Sequence, residues 1–126
     1  ERYTADPAVG AVVHIHARNA TVLSMATKDD VIRLEGYELV KALAGVRSHE
    51  TVIEVPVFPN TQDMEQLARD VEARMARLGD RAASTFGYLL AGHGLYAWGR
   101  NMADALRHTE ALEFLLGCEL ERRRIA

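Results

Sequence analysis

Residues 9–18 read VGAVVHIHAR and place two imidazoles in a run of Val, Ile and Ala that predicts a buried strand over residues 10–16. Because successive side chains of a strand point to opposite faces, His14 and His16 share one face and Ile15 takes the other. Their Cβ atoms are then about 7 Å apart, two strand rises, so both rings can converge on one object. A buried polar ring without a partner costs free energy. Each ring therefore needs a partner, which the strand alone does not identify.

The rest of the chain alternates between short strands and helices. Apolar spacing and turn residues predict helices over 18–26, 37–45 (with Gly45 as its C-cap) and 64–78, and strands over 31–36 and 50–58. Pro56 suggests that the second of these strands lies at an edge or ends there. Residues 84–98 read as two strands broken at AGHG. This alternation is typical of an α/β fold in which helices pack on a sheet.

A last helix is predicted from Asn101, a candidate N-cap, to about Arg124. One of its faces is apolar, and Phe114 and Leu115 lie away from that face. A helix that is apolar on two sides is either fully buried or faces a second subunit. The predicted apolar face consists of Met102, Leu106, Thr109, Leu112, Leu116 and Leu120.

Composition excludes several classes of protein. The 126 residues are 48% hydrophobic with a net charge of −3, which fits one domain and disfavours a nucleic-acid binder. The basic run 122–124 reads as a solvated helix end. Residues 82–99 lack charged side chains, but glycines and His93 interrupt them, so no membrane span is predicted. A single cysteine, Cys118, favours a reducing, cytoplasmic location.

A third histidine, His93, stands between Gly92 and Gly94, where the backbone can approach a ligand closely. Three histidines from two separate segments are a common protein share of a catalytic Zn²⁺ site, with a further position left for water or substrate. The alternative is three structural histidines that have ordinary hydrogen-bond partners. His49, in a turn, and His108, one position off the apolar helix face, are read as structural.

Four blocks carry a resemblance to a known family. They read AVVHIHARNATVLS, LEGYELVKALAG, EVPVFPNTQD and GHGLYAWGRNMADALRHTEALEFLLGCEL. Together they resemble the class II aldolase/adducin family, and the last block is similar to its dehydratases. The resemblance implies an α/β fold: a three-layer α/β/α domain with a central, largely antiparallel sheet. It spans residues 1–126 as one domain, with an N-terminal part of the family's domain expected to be missing from this chain.

The resemblance also implies roles for particular residues. His14, His16 and His93 fall on the family's zinc ligands, and Glu38 falls on the acid/base glutamate of its dehydratases. Without the resemblance, Glu38 reads as a solvated carboxylate in the first turn of a helix. Tyr96 alternates with Trp98 as expected of a strand packed on the core, and neither is assigned any chemistry. The phosphate-binding residues are expected mostly in the missing part.

The function implied is a zinc-dependent dehydration of a phosphorylated methylthio-ketopentose in methionine salvage. Loss of water beside a ketone needs a Lewis acid for the enediolate oxygen and a carboxyl group to protonate the departing hydroxyl. A class II sugar-phosphate aldolase or epimerase remains an alternative, and so does a non-catalytic adducin-like assembly module. A cytoplasmic homotetramer with active sites near subunit boundaries is implied. A second subunit is one candidate for covering the apolar surface of the last helix. The other is the N-terminal segment that is expected to be missing from this chain.

Overall fold

The computed structural model of the chain describes residues 9–79 and 85–126. Five strands, three α-helices and one 3₁₀ helix follow one another in the described ranges. They are β1 (Ala11–Ile15), α1 (Arg18–Ala26), β2 (Val31–Leu34), the 3₁₀ helix (Glu38–Ala42), β3 (Ile53–Phe58), α2 (Met64–Leu78), β4 (Gly87–Leu90), β5 (Gly94–Gly99) and α3 (Met102–Ile125).

The strands form a single mixed sheet in the order β1-β5-β4-β3-β2. Only β3 and β4 pair in parallel, and the other three neighbouring pairs are antiparallel. The expected central, largely antiparallel sheet is therefore confirmed. β1 and β2 lie at its two opposite edges, within the part of the chain that the structure describes.

Helices cover both faces of the sheet, which confirms the three-layer α/β/α arrangement. On one face, α1 and α3 bury Leu23, Leu112 and Leu116 against Leu89 and Leu95. On the other face, one side of α2 packs on the aromatic residues of β3, β4 and β5. This second cluster contains Leu67, Val71, Met75, Phe58, Tyr88, Leu90 and Trp98. The predicted spacing of apolar residues in α2 matches the side that is buried.

The first strand differs from its prediction as a buried strand. β1 pairs with β5 at the edge of the sheet, and both His14 and His16 are exposed. His16 follows the last strand residue, Ile15. Runs of Val and Ile are typical of buried strands, but position in the sheet decides exposure, and Val12 is also 39% exposed at this edge.

Pro56 does not mark an edge strand, so that part of the prediction was wrong. β3 lies between β2 and β4, and all six of its residues are buried. The pairing with β4 begins only at Val57, one residue after the proline. Because the ladder with β4 has not yet started, the missing N–H of Pro56 costs it no hydrogen bond.

The helix predicted over residues 37–45 is a shorter 3₁₀ helix that ends at Ala42, so the assignment of Gly45 as its C-cap was wrong. Side chains of α3 form hydrogen bonds with backbone groups that would be paired within the helix if it were longer. Arg107 Nε donates to the Ala42 carbonyl at 2.9 Å, and His108 Nε2 accepts from the Ala44 N–H at 3.0 Å.

The last helix begins as expected, because the Asn101 side chain accepts from the Asp104 N–H at 2.8 Å. Its buried side is rotated from the prediction. Met102 and Leu106 are about half exposed, whereas Leu115 is fully buried. The reason is that α3 packs against both β5 and α1, which buries a wider sector than one sheet contact would. Phe114 remains 59% exposed, and the basic run 122–124 is exposed as expected.

Among the described residues, no helix has the length and apolarity needed to cross a membrane.

A carboxylate of α3 caps α1, the helix that follows the two histidines of β1. The N-cap residue of α1, Ala17, has no side-chain oxygen to accept a hydrogen bond. Glu113 supplies one instead and accepts from the backbone N–H groups of Asn19 at 2.9 Å and Ala20 at 3.0 Å. Gly117, one turn further along, lets the Asn19 side chain approach, since a Cβ there would collide with it. This contact fixes where the chain leaves β1.

His108 is structural, as expected, but it is buried rather than at the margin of the apolar face. Its Nδ1 donates to the Trp98 carbonyl at 2.7 Å and its Nε2 accepts from the Ala44 N–H. A ring that donates at one nitrogen and accepts at the other is neutral. Burial lowers the pKa of His108, in spite of the hydrogen bond to Trp98, which raises it.

We expect the His108→Leu variant to be less stable than the wild type by about 1–3 kcal/mol, because the Ala44 N–H loses its buried acceptor. Since the pKa of His108 is lower in the folded state than in the unfolded chain, its contribution to stability is complete above about pH 6.5 and is lost as the pH falls through the folded-state pKa. Between pH 7.5 and pH 5.5, the free energy of unfolding measured in urea should decrease more for the wild type than for His108→Leu. The exposed His49→Ala variant should behave as the wild type.

Candidate metal centre

The three histidines singled out by sequence converge at one end of the sheet. His14 lies on β1, His16 just beyond it, and His93 on the turn between β4 and β5. The antiparallel pairing of β1 with β5 sets Ile15 opposite Leu95 and so brings the two segments together. The ring centroids are 4.8, 4.9 and 5.1 Å apart, and the Nε2 atoms of His14 and His16 are separated by 3.1 Å.

The two glycines around His93 have different roles. Gly92 has a φ of +71°, which a β-turn requires at this place, and the His93 N–H donates to the Leu90 carbonyl at 2.9 Å across that turn. Gly94 allows β1 to approach, because a Cβ at this position would collide with the Ile15 carbonyl and crowd the His14 ring. The sequence Gly92-His93-Gly94 therefore combines a turn at Gly92 with a close contact to β1 at Gly94.

Two of the rings have a hydrogen-bond partner for the nitrogen that faces away from the cluster. His14 Nδ1 lies 3.0 Å from the Leu95 carbonyl, and His93 Nδ1 lies 3.1 Å from Asn60 Oδ1. Both oxygens are acceptors, so each ring carries its proton on Nδ1 and leaves the Nε2 lone pair available. The Tyr96 ring stacks on His14 at 4.0 Å between centroids and restrains the orientation of the His14 ring.

The surroundings of His14 favour its neutral form. The pKa of His14 is lowered by burial and further by its neighbours His16 and His93, while the hydrogen bond to Leu95 opposes these effects. Metal binding needs imidazole in its neutral form. Three neutral nitrogen donors suit Zn²⁺, whose tetrahedral N–Zn–N geometry separates two ligand atoms by about 3.3 Å.

The geometry of the cluster fits such an ion with a modest adjustment. The three candidate ligand atoms all lie within 4.8 Å of one another, so the widest pair must close by up to about 1.5 Å to share one zinc ion. The His14–His16 pair already has a suitable separation. No protein ligand beyond these three joins the group within the described ranges, which leaves room for a water or substrate oxygen.

The structure does not bring Glu38 to the histidines of its own chain. The segment that carries it follows β2 at the far edge of the sheet and packs against α3, on the face that α1 and α3 cover. His14 lies opposite Tyr96, whose side chain belongs to the other face. The Glu38 carboxylate is exposed and pairs with Lys41, which lowers its pKa.

The backbone before Glu38 is nevertheless firmly held. The Tyr37 hydroxyl donates to Glu119 Oε1 at 2.9 Å, and this buried carboxylate also accepts from Arg122 and Arg123 at 2.8 and 3.1 Å. Glu38 is therefore an exposed acid on an anchored segment, which is how a residue would be presented to a second molecule.

Sequence reasoning missed three residues, of which two support the turn that carries His93 and one supports the neighbouring His14 ring. They are Asn60, Ser24 and Tyr96. The sequence marks Asn60 only as a member of the block EVPVFPNTQD and Tyr96 only as a core aromatic. Ser24 is buried, and its hydroxyl accepts from the Gly92 N–H at 3.0 Å while donating to the Thr21 carbonyl. All three make contacts across the fold. The only sequence signal for them is that each is polar or aromatic in a block shared with the family.

With this geometry established, the comparisons with known proteins identify the class of protein. Residues 1–120 match the family described as Class II Aldolase and Adducin N-terminal domain, and the chain belongs to that family. Curated relatives narrow the resemblance further. A methylthioribulose-1-phosphate dehydratase of Xanthomonas campestris is 55% identical over 120 residues, which are 94% of this chain and 53% of the relative.

A second relative with the same name, from Stenotrophomonas maltophilia, is 50% identical over 124 residues, covering 98% of this chain and 56% of its own length. The chain thus spans about half the length of the curated relatives that it matches. Among solved structures, an L-fuculose 1-phosphate aldolase shares the fold with a TM-score of 0.68 at 21% identity, covering 99% of this chain and 51% of its own. YgbL from Escherichia coli gives a TM-score of 0.64 at 28% identity, covering 90% and 49%.

Proposed function

We propose that the protein containing this chain is a zinc-dependent dehydratase that converts 5-methylthioribulose 1-phosphate to 2,3-diketo-5-methylthiopentyl 1-phosphate in methionine salvage, in the cytoplasm. The observation that carries the proposal is the convergence of His14, His16 and His93 on one point. The dehydratase name of relatives at 50–55% identity supports the choice of reaction. A sugar phosphate with adjacent carbonyl and hydroxyl oxygens suits a metal that keeps open positions.

In this proposal, His14, His16 and His93 hold the zinc through their Nε2 atoms. The ion, when bound, supplies a Lewis acid at the carbonyl and neighbouring hydroxyl oxygens of the substrate. The Leu95 carbonyl keeps the outer nitrogen of His14 protonated, so that this ligand stays in the required tautomer. Glu38 supplies the proton to the hydroxyl that departs from C4.

Glu38 can take this role only in an assembly. It lies at the far edge of the sheet and on the opposite face from His14, so we infer that it serves the histidine cluster of a neighbouring copy. A general acid works best with a pKa near the operating pH, and the ion pair with Lys41 holds the pKa of Glu38 low in the single chain. Burial at a subunit boundary would raise it. The exposed Leu106 and Phe114 of α3 are apolar surface that a homotetramer could cover.

A class II aldolase or epimerase is the second candidate, because the same donor set and fold suit cleavage between C3 and C4. The presence of all three histidines disfavours an assembly module that has no metal.

The test uses the full-length protein, purified without added metal. We expect about one zinc ion per chain, as in a site with three protein ligands. We also expect loss of water from 5-methylthioribulose 1-phosphate, followed by the ultraviolet absorbance of the diketone product. Light scattering at micromolar concentration should give a tetramer. Release of an aldehyde from the same ketose phosphate, without diketone, would replace the dehydratase with the aldolase assignment.

A further inference from the structure

Asn60 lies two residues after the end of β3, and its side chain contacts the histidine cluster without belonging to it. Its Oδ1 atom is 3.1 Å from His93 Nδ1, although 33 positions separate the two residues. In the described part of the chain, His14 is the only other member of the cluster whose outer nitrogen has a hydrogen-bond partner, and that partner is a backbone carbonyl. Asn60 is therefore the side chain whose removal would release a ring of the cluster.

The backbone holds Asn60 and His93 at this separation. The Phe58 carbonyl, two residues before Asn60, accepts from the Ala91 N–H at 2.9 Å, and Ala91 belongs to the turn that carries His93. Phe58 is buried in the apolar cluster between α2 and the sheet, and Pro59 restricts the backbone between Phe58 and Asn60. A backbone hydrogen bond thus joins the end of β3 to the β4–β5 turn. Because the two segments are held close together, the short side chain of Asn60 reaches the His93 ring.

We propose that Asn60 is a positioning residue that sets the tautomer and the orientation of His93 for metal binding. Its amide oxygen accepts the Nδ1–H, which leaves the lone pair of His93 Nε2 directed at the other two rings. Outer-sphere acceptors of this kind typically change metal affinity by about 10–100-fold. This inference rests on the proposed zinc site and adds a residue that the ligand set does not contain.

The amide orientation has a clear chemical consequence. If the Asn60 amide nitrogen faced His93 instead, it would donate to Nδ1 and place the ring proton on Nε2, where it blocks the metal. An aspartate at this position can only accept while ionised. Asn60→Asp therefore preserves the arrangement that binds metal, and a carboxylate acceptor increases the basicity of the ligand.

The experiment measures zinc affinity by competition with a chromophoric chelator, using the full-length apo protein. We expect Asn60→Ala to weaken zinc binding about 10–100-fold and Asn60→Asp to bind at least as tightly as the wild type. Thr61→Ala is the matched control, because Thr61 is the next residue and its hydroxyl accepts from the Asp63 N–H rather than from the cluster. The zinc affinity of this variant should equal that of the wild type. The melting temperatures of the apo proteins should agree, because Asn60 is exposed.

Each result separates this inference from the proposed function. A wild-type protein that binds no zinc contradicts the metal site itself. Tight binding by the wild type together with an Asn60→Ala affinity within twofold of it overturns only the role of Asn60. Equal weakening in Asn60→Ala and Asn60→Asp also overturns it, since the aspartate retains the acceptor.

Discussion

Replacing His93 by alanine is expected to remove most of the bound zinc and the dehydratase activity together. Three imidazoles are the whole protein share of the proposed site, and two remaining donors, both on β1 and the residue after it, face the metal from one side only. We expect zinc content per chain to fall close to zero after dialysis, and turnover to fall below detection. Metal analysis and the absorbance assay of the diketone product measure the two effects on the same sample.

His49→Ala is the matched control for this variant. His49 is an exposed histidine outside the cluster, so the zinc content of this variant should stay at the wild-type level. Circular dichroism should show that His93→Ala keeps the fold, because His93 lies on a surface turn rather than in either apolar cluster. Full zinc occupancy in His93→Ala would falsify the assignment of the three histidines as ligands.

Glu38→Gln is expected to keep its zinc and to lose turnover by about two to four orders of magnitude, the range typical of a lost general acid or base. Glutamine preserves size and hydrogen bonding but has no proton to transfer. Metal retention is expected because Glu38 does not belong to the histidine cluster. Glu35→Gln is the control, since it removes a nearby exposed carboxylate and should leave turnover unchanged.

A mixing experiment tests where Glu38 acts. His93→Ala and Glu38→Gln are each expected to have little turnover, but subunit exchange between them would create sites with intact histidines from one copy and an intact glutamate from its neighbour. Part of the wild-type turnover should return on mixing. If no turnover returns after verified subunit exchange, His93 and Glu38 act within one chain. Near-normal turnover of Glu38→Gln by itself would mean that Glu38 is a solvated carboxylate without a catalytic role.

Local patterns in the sequence determined the elements and the core of the site. The alternation in β1 puts His14 and His16 on one side because strand geometry depends only on neighbouring residues. The apolar spacing of α2 and the Asn101 cap are likewise local, and both are confirmed. The glycines around His93 predicted a backbone that can approach a ligand closely, and in the structure the close approach at Gly94 is to Ile15 of β1.

Tertiary structure alone decided the features that depend on distant partners. The edge position of β1, the burial of Leu115 and His108, and the shortened 3₁₀ helix follow from which element packs beside which, and no local period encodes that. The cap that Glu113 places on α1 links residues more than 90 positions apart. The support of His93 by Asn60 is equally non-local. Short-range periodicity therefore predicts a strand and its faces, while the hydrogen-bond partners that orient the histidines come together only once the chain has folded.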